Sequence, residues 1–98
     1  MAIKLKIGIK DLVAEAEAVV TTMSIEEAIK RHNDGNESIV FVDVRDVREL
    51  ERDGMVPGAV HVPRGMVEFW FDPESPYHKE ILTEEDKTYV LYCAAAWR

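Results

Sequence analysis

The sequence predicts an α/β domain built on a parallel sheet flanked by helices, and three observations carry that prediction. Ile39-Val-Phe-Val-Asp-Val44 and Tyr89-Val-Leu-Tyr92 are short β-branched and aromatic runs with little polar alternation. That pattern suits strands covered on both faces. Helix-compatible stretches alternate with these runs, as crossover connections require. Turn signals at Asp34-Gly35-Asn36, Gly54 and Pro57-Gly58 separate the pieces.

Taken in order, residues 9–19 are rich in helix formers, with Ile9, Leu12, Val13 and Ala16 on one face. They predict a helix that extends the domain at its N-terminal side. A short β-prone run, Val19 to Met23, follows. Ser24-Ile-Glu-Glu27 reads as a capping box, in which the Ser24 hydroxyl takes one helix N–H and Glu27 reaches back to the Ser24 N–H. The helix should run to about Asn33 and stop at Asp34-Gly35-Asn36. After the first strong strand, Arg45 to Arg52 forms a charged turn or short helix ended by Gly54. Ala59-Val-His-Val62 is a short strand closed by Pro63, and residues 65–71 look helical. Asp72-Pro-Glu-Ser-Pro76 is a loop. Glu80 to Glu85 carries another turn, with Thr83 a candidate N-cap. Tyr89 to Tyr92 is the second strongly buried strand, and it leads straight into Cys93.

The chain has 98 residues, 47% hydrophobic and 32% charged, enough for one core and too few for two domains. Residues 1–98 are therefore expected to form a single domain. A formal charge of -7 opposes nucleic-acid binding, which needs a basic surface to displace counterions, and it opposes docking on anionic lipid. No stretch has the apolar length of a membrane span, and the first residues do not form a secretory signal. One cysteine cannot make an internal disulfide, and no Cys/His cluster has zinc-ligand spacing. The expectation is a reduced, cytoplasmic domain without metal or cofactor.

The chain stops shortly after its last strand. Without the crossover helix that normally follows, one face of Tyr89–Tyr92 would lack cover. The sequence is therefore expected to be incomplete at its C-terminal side. The 98-residue species alone is expected to have little activity, restored by the residues that follow.

Chemistry concentrates in Cys93-Ala-Ala-Ala-Trp-Arg98. A cysteine at a strand end can sit in a tight loop whose backbone N–H groups point inward. Such a nest stabilises a thiolate and an anion beside it. The three small residues let the backbone wrap closely, and Arg98 adds a fixed charge. Cys-x4-Arg alone is a weak motif, and a strand-end cysteine is more often an inert core residue.

The surrounding residues decide the matter. Phe41-Val-Asp-Val-Arg45, Arg48-Glu-Leu-Glu51, Gly54-Met-Val-Pro-Gly-Ala-Val-His-Val-Pro63 and Tyr89-Val-Leu-Tyr-Cys93 together resemble a rhodanese-like domain, in the family's order and spacing. The resemblance covers residues 19–98 and is expected to extend to the N-terminal helix, and the segment from Arg64 to Lys79 is similar to a single-domain bacterial subgroup. It implies a rhodanese-like sheet flanked by helices and a sulfurtransferase with Cys93 as catalytic nucleophile. Ala94, Ala95, Ala96, Trp97 and Arg98 would form the substrate- and persulfide-binding loop. The six-residue loop matches members that handle sulfur, whereas phosphatases of this fold have one residue more. The implied donor is thiosulfate or a persulfide, and the acceptor a thiol, cyanide or a protein in a sulfur relay. The rival reading is a carrier or regulatory module without turnover.

Asp43 and Arg45 match the family's Asp-Val-Arg signature. They either border the site or, the preferred reading, fix the loop as a buried ion-pair network, with Glu49 as further scaffolding toward an arginine such as Arg98. Arg64 is a candidate for attracting an anionic donor, against the plainer reading of a solvated charge. His61 is expected to be a strand-end polar residue, and His32 and His78 surface residues. Phe69, Trp70 and Phe71 are expected to pack as core. Two residues depart from the family pattern. Ala96 stands where glycine is common, so a positive φ there costs energy. Ala94 stands where a basic residue is common, which weakens the pull on thiosulfate.

Overall fold

The computed structural model describes residues 3–97. Helix α1 (Ile9–Glu17) opens the chain, with the Gly8 N–H donating to Asp11 Oδ2 at 3.0 Å. Residues 19–23 form no strand, because their apolar side chains find no sheet edge to join; Val19 is 83% exposed. Helix α2 (Ile25–Asn33) starts at Ser24, whose Oγ accepts from the Glu27 N–H at 3.1 Å. Only half of the expected capping box forms. The Glu27 carboxylate turns instead to Arg31 one helical turn on, at 2.8 Å. Gly35 takes a positive φ of 67° just past the helix, as the stop signal requires.

Strand β1 (Ile39–Asp43) is central. Helix α3 (Val47–Asp53) carries a complete capping box. Asp46 accepts from the Arg48 N–H at 2.8 Å, and Glu49 Oε1 accepts from the Asp46 N–H at 3.3 Å. Strand β2 (Val60–His61) pairs parallel with one edge of β1. A 3-10 turn at Arg64–Met66 leads into helix α4 (Val67–Phe71). A second 3-10 turn spans Glu80–Leu82, and Thr83 closes it rather than capping a new helix. Strand β3 (Thr88–Tyr92) pairs parallel with the other edge of β1. The sheet order is β2-β1-β3, so the chain leaves β1 first to one side and later to the other.

The core lies on the face of the sheet covered by α4. Val42, Val44, Val62 and Leu82 are at most 2% exposed, and Trp70, Phe71, Tyr89 and Cys93 pack around them. Each such aliphatic side chain contributes roughly 1.5–3 kcal/mol by leaving water. Of the three consecutive aromatics, Phe69 is turned outward against Tyr77, so the expected core packing holds for Trp70 and Phe71 alone. β3 is also less buried than its composition predicts. Leu91 is 46% exposed, because β3 is an edge strand in a three-stranded sheet.

Two histidines expected at the surface are half-buried structural pins. His32 Nε2 lies 2.9 Å from the Pro57 carbonyl, and its ring meets Phe41 edge-on. His78 joins the Trp70 carbonyl through Nδ1 at 3.1 Å and Thr83 Oγ1 through Nε2 at 3.1 Å. Among the described residues, no helix is long and apolar enough to cross a membrane, and no group of three His, Cys, Asp or Glu side chains is placed to hold a metal ion.

Candidate active site at the carboxyl ends of the strands

In an open parallel sheet, ligand-binding loops gather where strand order reverses, beyond the carboxyl ends of the strands. Here that point lies between β1 and β3. Val44 follows one strand and Cys93 the other, and the Val44 N–H donates to the Tyr92 carbonyl at 3.1 Å. Beside it, the Val62 N–H donates to the Asp43 carbonyl at 2.9 Å and the Arg64 N–H to the Val44 carbonyl at 3.1 Å. The first of these bonds reaches the residue directly before Cys93; the other two tie the end of β1 to the segment after β2. Cys93 is half-buried against the core, its sulfur is in no disulfide, and Ala94 to Trp97 are exposed.

The loop turns sharply. Ala96 has φ 59°, the one non-glycine residue with positive φ among those described, so the expected strain is present. For an L-residue with a Cβ, this conformation costs roughly 1–2 kcal/mol. Trp97 is 50% exposed, and Arg98 lies outside the described residues.

Beneath the loop runs a polar rung across the whole sheet. His61, Asp43 and Tyr92 are register partners on β2, β1 and β3, so their side chains share the face opposite the α4-packed core. Asp43 is fully buried. Its Oδ1 accepts from the Arg45 N–H at 2.9 Å and from Arg45 Nε at 3.0 Å, and its Oδ2 from Arg45 Nη2 at 2.8 Å. Burial works against ionisation of this carboxyl. The Arg45 hydrogen bonds, aided by the Tyr92 hydroxyl, outweigh it and hold Asp43 below the usual carboxylate range. The same carboxylate keeps Arg45 charged by raising its pKa further.

Arg45 also reaches sideways. Its Nη2 donates to the Gly54 carbonyl at 2.7 Å, and its guanidinium carbon lies 5.9 Å from the centre of the Tyr92 ring. Its own carbonyl meets His61 Nε2 at 2.7 Å, which makes that nitrogen the donor. The Tyr92 hydroxyl accepts from the Val56 N–H at 3.1 Å. Desolvation, reinforced by the Asp43 carboxylate, raises the Tyr92 phenol above its ordinary pKa.

The structure thus brings together Cys93, the described part of its loop, Asp43 and Arg45 at one edge. Glu49 caps α3 through the Asp46 N–H, and its expected pairing with Arg98 lies outside the described residues. Arg64 is on the same edge by its backbone, but its guanidinium is engaged by Glu68 at 2.6 Å. Tyr92 and His61 were not expected in the support network. The signal for Tyr92 was its place directly before the cysteine; the signal for His61 would have required the strand register. Two adjoining depressions lie elsewhere, between α2, β1 and the turn after α3. Their apolar part is lined by Ala28, Ile29, His32, Phe41, Val56 and Pro57, and Cys93 lines neither.

A parallel sheet with a cysteine loop at its switch point defines a class. The model of the rhodanese-like domain matches residues 24–98, and the chain belongs to that family. The matched stretch begins at the N-cap of α2 and leaves α1 outside. A protein of Bacillus subtilis (strain 168) named "Putative sulfur carrier protein YrkF" is 35% identical over 65 residues, 66% of this chain. The match spans only 30% of that protein's length. A solved structure from Rhodopseudomonas palustris CGA009, described as a protein of unknown function and "Possible Tyrosine Phosphatase", is 47% identical. It superposes with a TM-score of 0.89, covering 96% of this chain and 70% of that one. At the level of the family, these likenesses support sulfur transfer.

Proposed function

We propose that the protein is a sulfurtransferase that carries sulfane sulfur as a persulfide on Cys93. The observation that carries this reading is the place of Cys93: directly after β3, at the switch point, in a loop of small exposed residues that turns back at Ala96. In the first step the Cys93 thiolate attacks the outer sulfur of thiosulfate, forming the S–S bond of a persulfide while the S–S bond of thiosulfate breaks and sulfite leaves. With a persulfide donor, the leaving group is the donor's thiolate. In the second step a thiolate or cyanide attacks the outer persulfide sulfur, and Cys93 leaves as a thiolate. The N–H groups of the loop after Cys93 stabilise the anionic persulfide as an oxyanion hole stabilises oxygen. No metal or cofactor enters this scheme.

In this reading Asp43 and Arg45 are scaffolding, since every described contact they make is internal. Arg64 would have to leave Glu68 to meet an anionic donor, which argues for a minor part. Residues 1–98 belong to one domain with α1 as an extension, and the protein works in the cytoplasm on small sulfur donors or on a protein relay partner. Ala94 removes a charge that would draw thiosulfate, and the name of the Bacillus relative points the same way, toward delivery by a protein.

The description of the Rhodopseudomonas structure raises phosphatase activity as a rival, which the six-residue loop opposes. Parallel assays separate the readings: thiocyanate formation from thiosulfate or a protein persulfide with cyanide, and hydrolysis of an aryl phosphate. Sulfur transfer that disappears in Cys93→Ser is the expected result. Phosphate release without sulfur transfer would overturn the proposal.

A further inference from the structure

The rung beneath the loop contains one hydroxyl whose position no packing need explains. Tyr92 directly precedes Cys93, and its side chain points away from the α4-covered core, toward the turn after α3. There its oxygen takes the Val56 N–H at 3.1 Å, while its ring lies under the Arg45 guanidinium at 5.9 Å. Its register partner Asp43 is fully buried and gripped by Arg45, which also holds the Gly54 carbonyl. The residue before the thiol is thus tied to two other segments: the end of β1 and the Gly54–Val56 turn.

We infer that Tyr92 is a positioning residue for Cys93, acting through its hydroxyl to fix the strand end from which the thiol projects into its loop. The inference rests on the reading of Cys93 as the nucleophile. A backbone that can twist at position 92 moves the Cys93 sulfur relative to the N–H groups of its own loop. The stabilisation of a thiolate by such a nest falls off steeply when the geometry loosens. Tyr89 is a built-in comparison. It lies on the same strand, and its hydroxyl is held as firmly: it donates to the Ile81 carbonyl at 2.6 Å and accepts from the Glu84 N–H at 3.0 Å. Those partners lie in the segment before β3, at the far end from Cys93.

The test measures alkylation of Cys93 by iodoacetamide across a pH series in the wild-type protein, Tyr92→Phe and Tyr89→Phe. Cys93 is the one cysteine of the chain, so the signal has a single source. Tyr92→Phe is expected to move the profile upward toward that of an ordinary thiol, about 8.5, and to slow alkylation at neutral pH by about threefold or more. Tyr89→Phe is expected to lower the thermal midpoint while leaving the profile in place. Coincident profiles for Tyr92→Phe and wild type would overturn the inference, and so would equal shifts in both variants, which mark a general loosening. Failure of the wild-type protein to take up sulfur would instead defeat the functional reading, while the alkylation profiles still decide the part played by Tyr92.

Discussion

Ala96→Gly is the substitution whose effect the backbone states most directly. With φ at 59°, Ala96 holds a conformation in which its Cβ crowds the neighbouring carbonyl, at a cost of roughly 1–2 kcal/mol. Glycine removes that crowding but loses more freedom on folding, a penalty of roughly 0.5–1 kcal/mol relative to alanine. The net expectation is stabilisation by about 0.5–1 kcal/mol. For a domain of this length, each kcal/mol moves the melting midpoint by about 4–8 °C, so Ala96→Gly should melt about 2–8 °C higher. Urea unfolding followed by far-ultraviolet circular dichroism gives the same difference at constant temperature, with an unchanged slope. Ala96→Val should move the other way, since a β-branched residue tolerates positive φ least. A glycine variant no more stable than wild type, or a valine variant equal to it, would refute the argument that the loop is strained at this residue.

Other expectations follow from the polar rung and the caps. Asp43→Asn leaves the Arg45 guanidinium without its counter-charge in a buried setting; a loss of about 3 kcal/mol or more in urea-derived stability is expected, in line with broken buried pairs. Because the Asp43 carboxyl is held below its ordinary pKa, its contribution is complete above the unfolded value near 4 and is lost as pH falls through the lower folded value. Wild-type stability should therefore decline in acid more steeply than that of Asp43→Asn, as urea midpoints between about pH 5 and pH 2 will show. Ser24→Ala removes the N-cap of α2 and should cost about 1 kcal/mol. Arg64→Ala breaks an exposed pair only and should change the melting midpoint by no more than about 0.5 kcal/mol of stability allows.

Where local chemistry decides the structure, the sequence was readable. The β-branched run of β1, the Ser24 cap, the stop at Gly35 and the turn at Pro57-Gly58 all form where expected. Ala96 was legible too, because the cost of positive φ depends on the residue alone. What stayed hidden depends on which groups meet in space. Glu27 had two equally short-range partners, and Arg31 won the competition over the Ser24 N–H. Thr83 looked like a cap because nothing nearby revealed that its hydroxyl would be drawn to His78. Val19 to Met23 had strand-like composition without a neighbouring edge. The His61–Asp43–Tyr92 rung requires the parallel register of three strands separated by long connections. Cys93 was identifiable as the candidate nucleophile from its neighbours in sequence, whereas the tie from the Tyr92 hydroxyl to the Val56 N–H, 36 residues away, was not.

Sulfur transfer through Cys93 requires the thiol to hold one sulfur atom between donor and acceptor. Intact-mass measurement of the full-length protein after incubation with thiosulfate, and separately with a protein persulfide donor, reads that sulfur. A gain of one sulfur atom, lost on treatment with cyanide and absent in Cys93→Ser, is expected. A protein that gains no sulfur from either donor, or that gains it equally with serine at position 93, is not a Cys93 sulfurtransferase.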